Sequence, residues 1–119
     1  MAATKGEAVS NNGASGTFAV GTNYTGTVVT ISTQDFADAY ITFTTSASAP
    51  TAAAVATLMV SVDNTTFYSA GSVASPLAVS TTISGTLPVP ASAQYARVDV
   101  TGPTGNAVTG QAQIGYGTF

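Results

Sequence analysis

Along most of this chain, apolar and polar residues alternate with a period of two, in short runs rich in Val, Thr and Ile and bounded by Gly, Pro, Asn and Ser. Successive side chains of an extended strand point to opposite faces, so such a run buries one face and wets the other. Tyr40-Ile41-Thr42-Phe43-Thr44-Thr45 alternates clearly. Tyr95 to Thr101 is expected to turn Ala96, Val98 and Val100 inward, and Tyr95, Arg97, Asp99 and Thr101 outward. Val108 to Tyr116 sets Val108, Ala112, Ile114 and Tyr116 against Gln111 and Gln113. In Val55 to Asp63, Leu58, Val60 and Val62 form one face, and Met59, Ser61 and Asp63 the other. Shorter runs are Thr17 to Val20, Gly26 to Ser32, Thr66 to Ser69 and Ala78 to Ser84. No window carries a helical stripe. Ala47 to Ala56 is alanine-rich, but Pro50 and the neighbouring Ser and Thr make it a loop leading into a strand. About eight short strands with turn signals between them predict an all-β fold, a single antiparallel β-sandwich or jelly roll.

Turn chemistry supports this division. Asp63-Asn64-Thr65 reads as a hairpin turn, and Gly102-Pro103-Thr104-Gly105-Asn106 as a turn between the last two strands. Pro88 and Pro90 flank Val89. Proline cannot donate to a ladder, so this stretch is expected in a connection or at an edge. Residues 1–16 are small and polar and predict a flexible N-terminal arm, a candidate attachment segment without a core contribution. Residues 17–119 then form the one β-sandwich domain.

Charge is nearly absent. Among 119 residues only Lys5, Glu7, Asp35, Asp38, Asp63, Arg97 and Asp99 carry it, giving a net charge of −3. Binding to nucleic acid by counterion release needs several cations near phosphates, and two basic residues do not supply them. The same shortage argues against attachment to an anionic membrane. No stretch reaches the length of a spanning helix, and the first residues lack the apolar segment of a secretory leader. With Met1 in place, synthesis in the cytoplasm is expected over a removed leader. Free proteins normally keep a well-charged surface. A surface of Thr, Ser, Asn and Gln fits a molecule that works packed against copies of itself or a partner.

The residues point away from catalysis. Histidine and cysteine are both absent, which removes the commonest general base, the thiol nucleophile and thiolate metal sites. No nucleophile elbow, P-loop, dinucleotide fingerprint or zinc spacing is present. Asp35 and Asp38 could hold a hard cation or share acid/base work, but calcium wants six to eight oxygens, and a solvated turn with Asp capping backbone N–H groups is the better reading. Arg97 and Asp99 lie two apart and so share a face, as an interface contact or a surface ion pair. Of the five Tyr and five Phe, most are expected to fill the core or its rim. No enzyme, cofactor or metal is therefore expected.

Leu58-Met59-Val60-Ser61-Val62-Asp63-Asn64-Thr65-Thr66-Phe67-Tyr68 resembles the strand-and-turn hairpin of galactose-binding-like jelly rolls, and Tyr95-Ala96-Arg97-Val98-Asp99-Val100 resembles a later strand of the same fold. The chain departs at Asn64, where that family often has Gly, and at Phe67, where Trp is common. With this Ser/Thr/Ala-rich, cysteine-free composition, the hairpin resembles virion components of tailed phages. The resemblance implies a head decoration (cement) protein, a homotrimer on the major capsid protein at the outer head surface. The runner-up it admits is a carbohydrate-binding or adhesion module of a tail or fibre, and after that another tail structural protein. Lys5 and Glu7 in the arm, with Tyr95, Arg97 and Asp99 on one strand face, are the expected interface residues.

Overall fold

The computed structural model describes the backbone of residues 6–9 and the whole of residues 16–118. The described strands are β1 (Gly6–Val9), β2 (Thr17–Phe18), β3 (Val29–Thr30), β4 (Phe36–Thr45), β5 (Val55–Ser61), β6 (Tyr68–Ala74), β7 (Thr82–Pro88), β8 (Tyr95–Thr101) and β9 (Val108–Gly117). One sheet has the order β1-β9-β4-β7, with β2 also on β9, and the other the order β3-β8-β5-β6. All pairs are antiparallel. β1 lies opposite Gln113–Tyr116 and β2 opposite Val108–Thr109, so the two share one edge position end to end. The architecture is thus an eight-position β-sandwich.

The pairings nest. β5 pairs with β6, β4 with β7, β3 with β8, and β2 with β9. The chain is one long hairpin with its tip between β5 and β6. Rolling that hairpin brings β9 against β4 and β8 against β5, which closes the two sheets into a jelly roll.

Alternation then builds the core. Ala39, Ile41 and Phe43 of β4 and Ala112 and Ile114 of β9 face Ala56 and Leu58 of β5 and Ala96, Val98 and Val100 of β8. Phe18 plugs the β2 end, edge-on to Tyr24 at 5.4 Å and to Phe43 at 5.6 Å between ring centroids. The Tyr24 hydroxyl accepts the Ala19 N–H at 2.8 Å, so the ring is buried without stranding its polar tip. On the open side of the roll, β6 and β7 approach through glycines. A Cβ on Gly85 would stand 2.7 Å from Val73 Cγ2, so only glycine admits that neighbour.

The hairpin tip is held by side chains. Ser61 is 2% exposed, and its hydroxyl accepts the N–H of Asp63 and of Asn64 while donating to Asp63 Oδ1 at 3.0 Å. Asp63 Oδ1 also accepts the N–H of Thr65 and of Thr66, each at 2.9 Å. Asn64 has φ 60°, a left-handed conformation that Asn tolerates and that explains its tenure of a site where Gly is common.

The structure moves several expected boundaries. β4 begins at Phe36, so Asp38 lies in a strand and not in the anticipated loop. Only Val29–Thr30 of the Gly26–Ser32 run pairs. β6 extends to Ala74, and β7 is displaced to Thr82–Pro88, an edge strand that tolerates its terminal proline. The alternation of β5 breaks at its end, where Ser61 is buried and Val62 is 66% exposed. The turn needs the Ser61 hydroxyl inside, and that rotates Val62 out. Within the expected arm, Gly6–Val9 is a sheet strand, so this part does not run free of the fold, and residues 1–5 and 10–15 lie outside the described residues.

Phe43→Ala is expected to cost about 3–5 kcal/mol, because its fully buried ring leaves a void between both sheets. Urea unfolding measures this. The Asp63 carboxyl is held below its ordinary value of 3.8, chiefly by the Thr66 N–H, then by the Thr65 N–H and the Ser61 hydroxyl. A lowered folded pKa contributes stability that is full above the unfolded value and is lost as pH falls through the folded one. Asp63→Ala should therefore lower Tm at neutral pH, with the gap to the natural chain narrowing as pH drops below 3.8. A pH series of thermal scans checks it.

Candidate functional site

Three surfaces carry distinctive chemistry. The first is the outer side of β8. Arg97 Nε lies 3.1 Å from the Asp99 carboxylate, and the guanidinium sits 4.2 Å from the centroid of the Phe67 ring. Asp99 Oδ1 also accepts the Gly26 N–H at 3.0 Å. The Arg97 and Asp99 side chains are 24% and 28% exposed. The pair therefore ties the segment before β3 and the residue after the hairpin tip to β8. This is a local clamp in which the guanidinium is already stacked and paired.

The second surface is the end of the roll where β4 begins and β7 ends. A groove of about 290 Å³ runs between Gln34, Asp35 and Asp38 on one side and Pro88, Val89 and Pro90 on the other. Beyond Pro90 and Ala93, which line both, lies a smaller depression of about 200 Å³ formed with Val60, Val62 and Tyr68. Val62 and Tyr68 are 66% and 65% exposed. The proline-rich connection is the ridge between a carboxylate-lined groove and an apolar one. At the opposite end of β7, the connection from β6 exposes Leu77 and Val79 at 58% and 56%. That connection is pinned by two buried hydroxyls. Thr45 Oγ1 donates to the Ala78 carbonyl and accepts the Thr81 N–H, and Ser75 Oγ accepts the Ala54 N–H.

The third surface is the outward side of the β1-β9-β4-β7 sheet. Register sets its rows: Thr86, Tyr40 and Gln113 in one, Ser84, Thr42 and Gln111 in the next, then Thr82, Thr44 and Thr109. The Thr42 and Ser84 hydroxyls meet at 3.2 Å, and those of Thr44 and Thr82 at 2.9 Å. Tyr40 stands in this polar field 48% exposed.

The residues expected at an interface do not converge. Tyr95, Arg97 and Asp99 share the outer side of β8, as the alternation required. Glu7 belongs to β1 in the other sheet, opposite Gly115, and Lys5 lies outside the described residues. Asp35 and Asp38 share the groove, but among the described residues no three acidic side chains gather as a cation site would need. Packing does claim Phe18, Phe43 and Tyr24, whereas Tyr40 and Tyr68 stand out at the surface. The signal for Tyr40 was present in the alternation, since Ile41 and Phe43 leave it only the outer face. Nothing local marked Tyr68 and Val62, whose exposure follows from the turn. Among the described residues no helix is long and apolar enough to cross a membrane.

Arg97→Ala should cost about 1 kcal/mol or less, as for a partly exposed ion pair. Asp99→Ala should cost more, because the Gly26 N–H then loses its acceptor. Chemical denaturation of both variants tests the order.

No protein-family model matches this chain, and no curated protein sequence matches it. Its fold does recur in solved structures. It is similar to a chain in the structure of infectious bursal disease virus Gx strain, with TM-score 0.59 and 14% identity over 98% of this chain and 32% of that one. It therefore spans about a third of that neighbour's length. It is similar to the SPBc2 prophage-derived protein YomS, with TM-score 0.54 and 11% identity over 97% of this chain and 96% of that one. It is also similar to CBM29_1, a family 29 carbohydrate binding module from Piromyces equi, with TM-score 0.53 and 15% identity over 100% and 93% of the two chains. At such identities, what the chain shares with a virus structure, a prophage protein and a sugar-binding module is the β-sandwich fold itself.

Proposed function

We propose that this chain is a non-catalytic virion structural module, a head decoration protein that seats as a homotrimer on the major capsid protein of a tailed phage. The observation that carries this reading is the pairing of a nearly charge-free surface with apolar side chains held open on a pinned loop, Leu77 and Val79. The occurrence of the fold in a virus structure and a prophage protein supports a virion setting. Covering the exposed half of such a side chain contributes about 1 kcal/mol. Repeated across neighbouring capsid subunits, this stabilises the assembled shell by mass action. The Leu77–Val79 end would face the capsid, and the Pro88–Ala93 end would face outward.

A second reading, a carbohydrate-binding or adhesion module of a tail or fibre, is favoured by Tyr40, which stands open on a sheet face of hydroxyls and amides.

Adding the purified protein to phage particles made without it, followed by cryo-electron microscopy, tests the first reading. Regular threefold density on the head lattice is expected, and it should be lost with a Leu77→Ser, Val79→Ser double variant. Bare heads, or density confined to the tail, would overturn the decoration reading.

A further inference from the structure

The outward side of the β1-β9-β4-β7 sheet has a defined chemistry. Tyr40 sits between Thr86 and Gln113, and the row towards the groove is Pro88, Asp38 and Gly115. A Cβ on Gly115 would stand 3.2 Å from Tyr40 Cε2. The Cδ2–Cε2 edge of the ring thus leans diagonally over a residue without a side chain, and about half of the ring's surface stays exposed above the sheet. Around it, among the fully described residues, are amide groups (Gln111, Gln113), hydroxyls (Thr42, Ser84, Thr86) and the Asp38 carboxylate. Asp38 also lines the end groove with Gln34 and Asp35, so the polar surface continues from the ring into a concavity of about 290 Å³.

The charge on this face selects its occupant. Among the described residues the one cation, Arg97, lies on β8 in the other sheet and is paired there. A phosphate, nucleic acid or acidic polymer would meet Asp38 with no counter-charge among the described residues. A protein partner would want an apolar patch at the centre of its contact, and here a lone aromatic stands among hydroxyls and amides. A neutral polyhydroxylated chain satisfies both halves of the site. The C–H side of a sugar ring covers the tyrosine face, and its equatorial hydroxyls exchange hydrogen bonds with amide and carboxylate groups at the rim.

We propose that this face binds a neutral polysaccharide, with one sugar ring stacked on Tyr40 and its hydroxyls bonded by Gln113, Gln111 and Asp38. The inference deepens the adhesion reading and does not depend on attachment to a capsid. A decoration protein seated by its Leu77–Val79 end would leave this face free.

Affinity gel electrophoresis of the full chain tests it, with hydroxyethyl cellulose, glucomannan and galactomannan as neutral probes. Polygalacturonate is the acidic probe, and polyethylene glycol the polymer without sugar. Retardation by at least one neutral polysaccharide is expected, with none by the other two polymers. Tyr40→Ala should weaken that binding about tenfold, while Tyr40→Phe retains it. Tyr40→Ala is expected to leave the thermal unfolding midpoint nearly unchanged, because the ring is half exposed. Gln113→Ala, weakening binding several-fold, provides a second variant should that protein fold poorly. No retardation in any of the three neutral gels would overturn the proposal. Retardation insensitive to both Tyr40→Ala and Gln113→Ala, or matched by polyethylene glycol, would overturn it equally. Loss of polysaccharide binding leaves the particle-decoration experiment unaffected, and bare heads leave the gel result unaffected, so the two failures are separable.

Discussion

Everything in this fold is pinned at the hairpin tip. Ser61 and Asp63 gather the N–H groups of Asn64, Thr65 and Thr66, and that turn sets the register of β5 on β6 at Met59–Ser69 and Val60–Tyr68, before an irregularity between Thr57 and Met59 shifts it by one residue. Each further pairing encloses the previous one. β4 reaches β7 only across the β5–β6 hairpin, β3 reaches β8 only across both, and β2 reaches β9 across the whole body. Closing a longer loop costs more entropy, so the outer pairs depend on the inner ones having already brought their strands together. A slip at the tip would turn an entire sequence of faces inside out, because one residue of shift exchanges core for solvent.

Hydroxyls do here what charged groups do in many domains. The buried polar residues Thr45, Ser61 and Ser75 each sit where the chain reverses, and each bonds backbone groups that a loop would otherwise leave unpaired. Among the described residues no buried side-chain polar atom lacks a partner. A serine or threonine can satisfy such groups without the desolvation cost of a buried charge. The chain can therefore be poor in Lys, Glu, Arg and Asp without leaving its turns unsupported. The consequence on the outside is a surface of neutral hydrogen-bonding groups, interrupted by a few open apolar side chains.

Much of this was legible in the residues. β8 follows its alternation residue for residue, with Ala96, Val98 and Val100 inside and Tyr95, Arg97 and Asp99 outside. The β5–β6 turn announced itself in Asp63-Asn64-Thr65, and the Arg97–Asp99 pair in its spacing. What alternation could not supply was the order of strands in space. Period two says which face is apolar but not which neighbour it meets, and the nesting is a property of the whole chain. The site was harder still. Its groove joins Gln34–Asp38 to Pro88–Pro90, segments some fifty residues apart that meet only because β4 pairs with β7. The misplaced side chains, Val62 and Ser61, lie at the one point where turn hydrogen bonding overrides the strand pattern.

The first and last strands have a mechanical consequence. β1 and β9 run antiparallel with Gly6 opposite Tyr116, so the start of one lies beside the end of the other. A load applied between those two points would pull along the hydrogen bonds and across the strands, opening the ladder one rung at a time. Strands pulled in opposite directions along their length would resist through all rungs at once. Tethered by its two ends, the module would act as a soft link that peels open under modest force. Pressed between a surface and a partner, it would load its packed core and hold.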